Sequence, residues 1–304
     1  MSLFALSSAV LEVMLNSHKH FTITALRNAV APCVVIAVIL ATWRNEDAPY
    51  WIAGAFTVGY LLYFVMLWIN AATKMNFSPD PGRLPNKQTF KKLRGTIGYP
   101  LTGFGVRQMA RVAERAIASL GPTGSVAAYY SAYRLLAALQ NIVGVSVALT
   151  GQPKLTEHDL AGESGRFYAA LRRRVRMILI LSVPAAIVLM LLSRPIIKLL
   201  FGRMEPAGLD AASTVLFILG PAVVFYCLTP VLNSALYAQK RYGAVLYNMC
   251  LAAGSNVVLA FVLFKWLGLT GVAWAASLAA VVSVLNLIWV LARPTRTPVP
   301  QPSS

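Results

Sequence analysis

"RQMARVAERAIAS", residues 107–119, carries three arginines and a glutamate, yet it lies between stretches apolar enough to demand a membrane interior. Its surroundings set the fold class. Of 304 residues, 58% are hydrophobic and only 12% charged, whereas an ordinary soluble domain carries about 25% charged residues. The mean hydropathy is +0.65. An all-α polytopic membrane protein follows, because runs of roughly 20 apolar residues are the length a helix needs to cross a bilayer. Such runs predict spans near 24–43, 50–72, 97–120, 125–150, 175–193, 210–238, 242–264 and 269–292. A short ninth, 3–15, has no cationic segment before it and is interrupted by Glu12, so it is not a secretory signal.

Lys and Arg number 27 against 10 Asp and Glu, a net charge of +17. In a soluble chain this would point to nucleic acid. Here most cations sit in short connections between apolar runs, where they set orientation, and no nucleic-acid partner is expected. Alternate connections hold 17 of the 27 on one side, in Lys19 and segments 74–94, 154–176, 240–241 and 293–296, and five on the other. The first side, with the C-terminus, is assigned to the cytoplasm. Cys33, Cys227 and Cys250 lie far apart in apolar runs without a CxxC and read as buried small hydrophobes.

An internal similarity bears on organisation. "VLEVMLNSHKHF" (10–21) and "VLNSALYAQKRY" (231–242) share Val-Leu at the start, Leu at the sixth position, Lys at the tenth and an aromatic at the twelfth. Asn28 and Asn248 follow with a one-residue slip. A repeat offset of 221 makes the last three spans echo the first three and leaves the middle three unmatched. This implies a two-lobe chain lacking three helices before residue 1. The expected parts are 1–72, the remainder of an N-terminal lobe; 73–95, a basic cytoplasmic linker; 96–292, a six-helix C-terminal lobe; and 293–304, a disordered-looking tail.

Two of the spans carry polar faces. With about 100° of rotation per residue, Arg107, Arg111, Glu114 and Arg115 fall on one arc of roughly 100°, with Gln108 at its edge. Arg107 and Arg111 facing lipid would cost roughly 5–7 kcal/mol even on the lenient insertion scale, so this face must meet water or protein. Arg115, near the helix end, has the alternative of snorkelling. In the next span Arg134 shares an arc with Tyr130, Ser131 and Asn141. The connection "GPTGS" is so short that the two helices must be antiparallel neighbours, bringing Arg107, Arg111 and Arg134 toward one cavity. Two readings stand. Either Glu114 neutralises the arginines as a buried ionic staple, or the excess cationic charge awaits an anion such as phosphate, which guanidinium binds bidentately. Pro100, Pro184, Pro221 and Pro230 lie within spans and permit kinks. "RPIIKLLFG" (194–202) is too short to span and should rest at the outer interface.

"AERAIASLGPTGSVAAYYSAYRL" (113–135), with "PKL" (153–155) and "RPIIKLLFGRMEPAGLD" (194–210), resembles the MviN/MurJ lipid II flippases of the MOP superfamily in order and spacing. The likeness covers most of residues 95–265, and residues 1–72 suit the end of that family's first lobe. The resemblance implies a MOP-type V of two six-helix lobes around a cationic cavity, in a bacterial inner membrane. The cargo would be an undecaprenyl-pyrophosphate-linked sugar, moved to the outer leaflet by alternating access among membrane lipids. Arg134 matches the family's cavity arginine, and Gln108 and Glu114 match polar positions of the preceding helix; Arg107, Arg111 and Arg115 rest on the helical arc alone. The chain departs from the pattern in lacking the proline after "RL" and a helix pair beyond 292. Twelve spans in a restored parent would also suit polysaccharide-repeat flippases of the superfamily.

Rival classes fit less well. No HExxH, Walker loop or GxSxG is present, and "GFGVRQ" lacks the strand a dinucleotide fingerprint needs. His18 and His20 flank Lys19 without further ligand-type neighbours, so neither a metal site nor a cofactor is expected. A cation-driven exporter should carry intramembrane carboxylates in excess, the opposite sign. An inert truncated membrane fragment remains a third reading.

Overall fold

The computed structural model describes residues 27–42, 48–75, 87–202 and 204–293, with Ser8 and Leu11. The expected first span at 3–15 (Ser8 and Leu11 aside), the first half of the repeat, His18 and His20 and the tail beyond 293 lie outside the described residues. Every regular element among the described residues is helical. The chain divides into two compact units, Met1–Pro85 and Asn86–Ser304.

In the first unit α1 (Arg27–Ala41) packs on α2 (Ala48–Met75). They approach closely at Gly59, where a Cβ would stand 2.8 Å from the Cα of Ala31. Tyr63, Leu67 and Ala71 of α2 form a small core with Leu11, spaced by about one turn as a helix face requires.

The second unit holds α3 (Lys87–Ala118), α4 (Ser125–Leu139), a π-helical turn (Gln140–Val145), α5 (Ser146–Leu160), α6 (Ser164–Leu191), α7 (Ser193–Phe201), α8 (Pro206–Leu219), α9 (Ala222–Ala238), α10 (Tyr242–Leu267) and α11 (Leu269–Ala292). Helix α9, "AVVFYCLTPVLNSALYA", is apolar on nearly every side and sits at the centre, against the π turn, α5, α6, α10 and α11. Helix α11 packs on α9, α10 and α8, and its small residues Gly271, Ala273, Ala276, Ser277, Ala280 and Ser283 are all buried. In lipid, where the hydrophobic effect does not drive helices together, such residues gain contact by letting backbones approach. Gly268, with φ +60, turns α10 into α11 in a backbone conformation that side chains rarely adopt.

Five helices among the described residues are long and apolar enough to cross a membrane, or six if α8 and α9 form one bent span. Nine spans were expected. The described part of α1 is 15 residues long, and α3 is too rich in cations to pass as an apolar span. The α8–α9 pair bends by 53° at Gly220-Pro221, where the proline at the head of α9 cannot donate to the ladder of α8. Pro184 and Pro230 lie inside unbroken helices. Cysteine burial departs from expectation: Cys227 is buried, but Cys33 and Cys250 are exposed, and all three are free thiols. A lipid-facing position is as apolar as a core one, so a small apolar residue does not distinguish them.

Candidate functional site

One polar hollow of about 160 Å³ lies within the second unit. From α3 it takes Arg107, Arg111 and Glu114, one helical turn apart; from α4 and the π turn, Tyr133 and Gln140; from α9, Tyr226, Thr229 and Asn233; from α10, Asn248 and Asn256; from α11, Ser283. The hollow is smaller than the roughly 300–1,000 Å³ typical of pockets that enclose a whole small molecule. It suits a headgroup fragment.

The arc of α3 divides its charges. Glu114 is the deepest, 4% exposed, and accepts a short hydrogen bond from the Tyr129 hydroxyl and a longer one, 3.5 Å, from Asn256 Nδ2. Its partners are neutral donors. Among the described residues no carboxylate stands within 4.0 Å of Arg107 or Arg111, so the ionic staple is not formed. Both arginines are exposed to the hollow and its mouth. Two cations facing one satisfied carboxylate leave positive charge at the opening, the arrangement that favours an anion.

Behind them the wall is amide-rich. Asn248 Nδ2 donates to Ser283 Oγ at 2.9 Å, and Asn286 Nδ2 donates to Asn248 Oδ1 at 2.9 Å. Asn233 Oδ1 and Asn256 Oδ1 are buried without a hydrogen-bond partner. These are acceptors left open toward N–H or O–H groups of a guest or of water. Tyr133 packs edge-on against Tyr226, with ring centres 6.4 Å apart, closing the side next to α4.

Not every expected site residue meets there. Gln108 is exposed and outside the lining. Arg115 stacks on Tyr130 instead, its guanidinium carbon 4.8 Å from the ring centre, while the Tyr130 hydroxyl donates to the Arg111 carbonyl at 3.4 Å. Arg134 is exposed and does not line the hollow. The reason is angular: α4 buries Ser125, Ala128, Tyr129, Ala132 and Leu136, and Arg134 stands about 200° from both Ala132 and Leu136. Asn141 is also exposed. Seven residues on from Arg134 and within about 20° of its phase, it points away from the hollow with that arginine, whereas Gln140, in the same relation to Tyr133, lines the hollow with it. The asparagines were missed, although polar residues whole turns apart in an apolar span, Thr229 with Asn233 at about one turn and Asn248 with Asn256 at about two, are the signal that could have found them. No group of three or more His, Cys, Asp or Glu suited to a metal occurs among the described residues.

The family model described as "Lipid II flippase MurJ" matches residues 1–301. The chain belongs to the MurJ family. A Rhizobium meliloti protein named "Probable lipid II flippase MurJ" is 26% identical over 295 residues, 93% of this chain and 54% of that protein. A Vibrio cholerae protein of the same name is 28% identical over 204 residues, 64% of this chain and 38% of that protein. The chain thus spans about half the length of the curated MurJ relatives it matches. Its fold is that of the superfamily: a lipid II flippase MurJ in an inward closed conformation superposes with TM-score 0.76 at 19% identity, over 95% of this chain and 60% of that one. A MATE transporter in complex with MaL6 reaches TM-score 0.76 at 11% identity, over 94% and 66%. The all-α, MOP-type architecture expected from the sequence is therefore the observed one.

Proposed function

We propose that this MurJ-family chain takes part in moving a lipid-linked sugar pyrophosphate of the lipid II type from the inner to the outer leaflet of a bacterial inner membrane by alternating access. Its role would be that of a transporter, with no bond made or broken. The observation that carries this reading is the pair Arg107 and Arg111, which open on a polar hollow and have no carboxylate partner among the described residues. A pyrophosphate supplies two acceptor groups and the missing negative charge. The sugar's hydroxyl and amide donors would answer the open acceptors of Asn233 and Asn256. Arg134, exposed on the same unit, would meet the headgroup outside the hollow, with Gln108 and Tyr130 nearby on the route. The 17-to-5 distribution of cations supports a cytoplasmic C-terminus and a cytoplasmic segment 73–95.

The test is flux of fluorescent lipid II across proteoliposomes holding the full chain, compared with the Arg107→Ala/Arg111→Ala variant. Flux by the parent chain, lost in the variant while insertion persists, is the expected result. Equal flux in both, or transport of a polysaccharide-repeat lipid in preference to lipid II, overturns the assignment.

A further inference from the structure

The arginines of α3 line the hollow, and those of α6 lie outside it. Arg172, Arg173, Arg174 and Arg176 stand where α6 passes into the apolar run 177–192. Arg172, Arg173 and Arg176 are exposed. Among the described residues none of the four pairs with a carboxylate, and Glu163, at this end of the helix, is engaged by His158 and Arg166.

Arg174 turns inward. Its guanidinium lies over Gly151 of α5, where a Cβ would stand 2.7 Å from Nη1. Nη1 is buried without a hydrogen-bond partner. Lys154, one turn along α5 from Gly151, is exposed beside it. A guanidinium pinned on a helix, partly desolvated and accompanied by like charges, is costly unless an anion meets its open side. Directly beyond it along α6, the apolar Met177, Ile180 and Leu181 are exposed.

We propose that Arg174, with Arg173 and Lys154, forms a headgroup site for an anionic phospholipid. Arg174's planar fork would grip the phosphodiester, and the acyl chains would lie along the exposed apolar side of α6. A free phosphate would satisfy the cations but leave that adjoining apolar surface unused, which is why a lipid is the occupant argued for. Gly151 is the seat: only a residue without a side chain lets the guanidinium lie flat on α5.

The experiment measures the fraction of motionally restricted spin-labelled phosphatidylglycerol, against spin-labelled phosphatidylcholine, with the full chain reconstituted in phosphatidylcholine bilayers. A preference for phosphatidylglycerol of about fivefold is expected, the worth of one well-placed cation at a membrane surface. Arg174→Gln and Gly151→Ala should bring it near parity. Arg174→Lys, which keeps charge and fold but not the fork, should lose at least half of it. Arg166→Gln, whose parent side chain is already paired with Glu163, should leave it unchanged. The proposal is overturned if the preference survives Arg174→Gln or is fully kept by Arg174→Lys. An equal fall in Arg166→Gln, which would mean diffuse charge, or displacement by millimolar inorganic phosphate, which would mean a soluble anion site, overturns it as well.

Discussion

Helices α3 and α4 are consecutive, and each carries arginine within a membrane-length stretch, three in residues 107–115 of α3 and Arg134 alone in α4, yet they place that charge differently. Arg107 and Arg111 of α3 line the hollow; Arg134 of α4 is exposed away from it. What α4 sends inward is aromatic: Tyr133 lines the hollow, and Tyr129 holds the carboxylate of α3. The two helices therefore divide the work, one contributing charge and the other the hydroxyl that satisfies Glu114. Membership of an arc establishes which side chains travel together. It does not establish where the arc points.

The comparison breaks first at the arginines. Losing Arg107 and Arg111 together should lower lipid II binding by about 100-fold or more, since charge-assisted hydrogen bonds contribute about 1.5–3 kcal/mol each; quenching titrations with fluorescent lipid II measure it. Arg111→Ala and Arg134→Ala should combine additively, because residues without shared partners seldom couple. A coupling above about 0.5 kcal/mol in that double-mutant cycle would place both on one phosphate and erase the distinction between the helices.

Next comes the acid. Tyr129→Phe removes the principal donor to Glu114, 4% exposed, and should destabilise the chain by about 1–3 kcal/mol, read as a lower melting temperature in detergent. Glu114→Gln should restore part of that loss in the Tyr129→Phe background, because a neutral amide tolerates the missing donor better than a carboxylate does.

The π turn offers a third point of attack. A Cβ at Gly144 would stand 2.8 Å from the Cys227 carbonyl oxygen, a backbone atom that cannot step aside. Gly144→Ala should cost about 1–3 kcal/mol by overpacking and disturb Gln140 at the hollow. An unchanged melting temperature would show that the turn relaxes freely.

The smallest effect belongs to the other carboxylate. The Glu163 carboxyl is held below its ordinary value of 4.5 by the hydrogen bond from His158 and then by Arg166. A carboxyl depressed in the folded chain stabilises it above that ordinary value, and the contribution fades as pH falls through the depressed one. Glu163→Gln should thus narrow the gap in melting temperature between pH 6 and more acidic solution only slightly, since the pair is exposed and screened.

How much of this was legible beforehand varies by residue. The class of fold was, because twenty apolar residues without charge have few places to go but a bilayer. So was the inward need of Arg107 and Arg111, since charge at that depth is too costly to leave in lipid. The direction of the arc that Arg134 and Asn141 share was not, because the rotation of α4 is set by the helices it packs against. The exposure of Cys33 and Cys250 was not either, because lipid and core are equally apolar.

Sequence by itself determined that this chain is a helical membrane protein, with an uncompensated cationic face on residues 107–115 and a resemblance carried by residues 113–210. Periodicity and the price of charge in hydrocarbon are local properties, readable one helix at a time. The tertiary structure alone decided that Glu114 is satisfied by Tyr129 and Asn256 rather than by its arginine neighbours, that Arg134 faces away, and that Asn233 and Asn248 close the hollow. Those outcomes depend on the rotation of each helix against its neighbours, which is set by close packing of small residues across α9, α10 and α11, and no single helix contains that information.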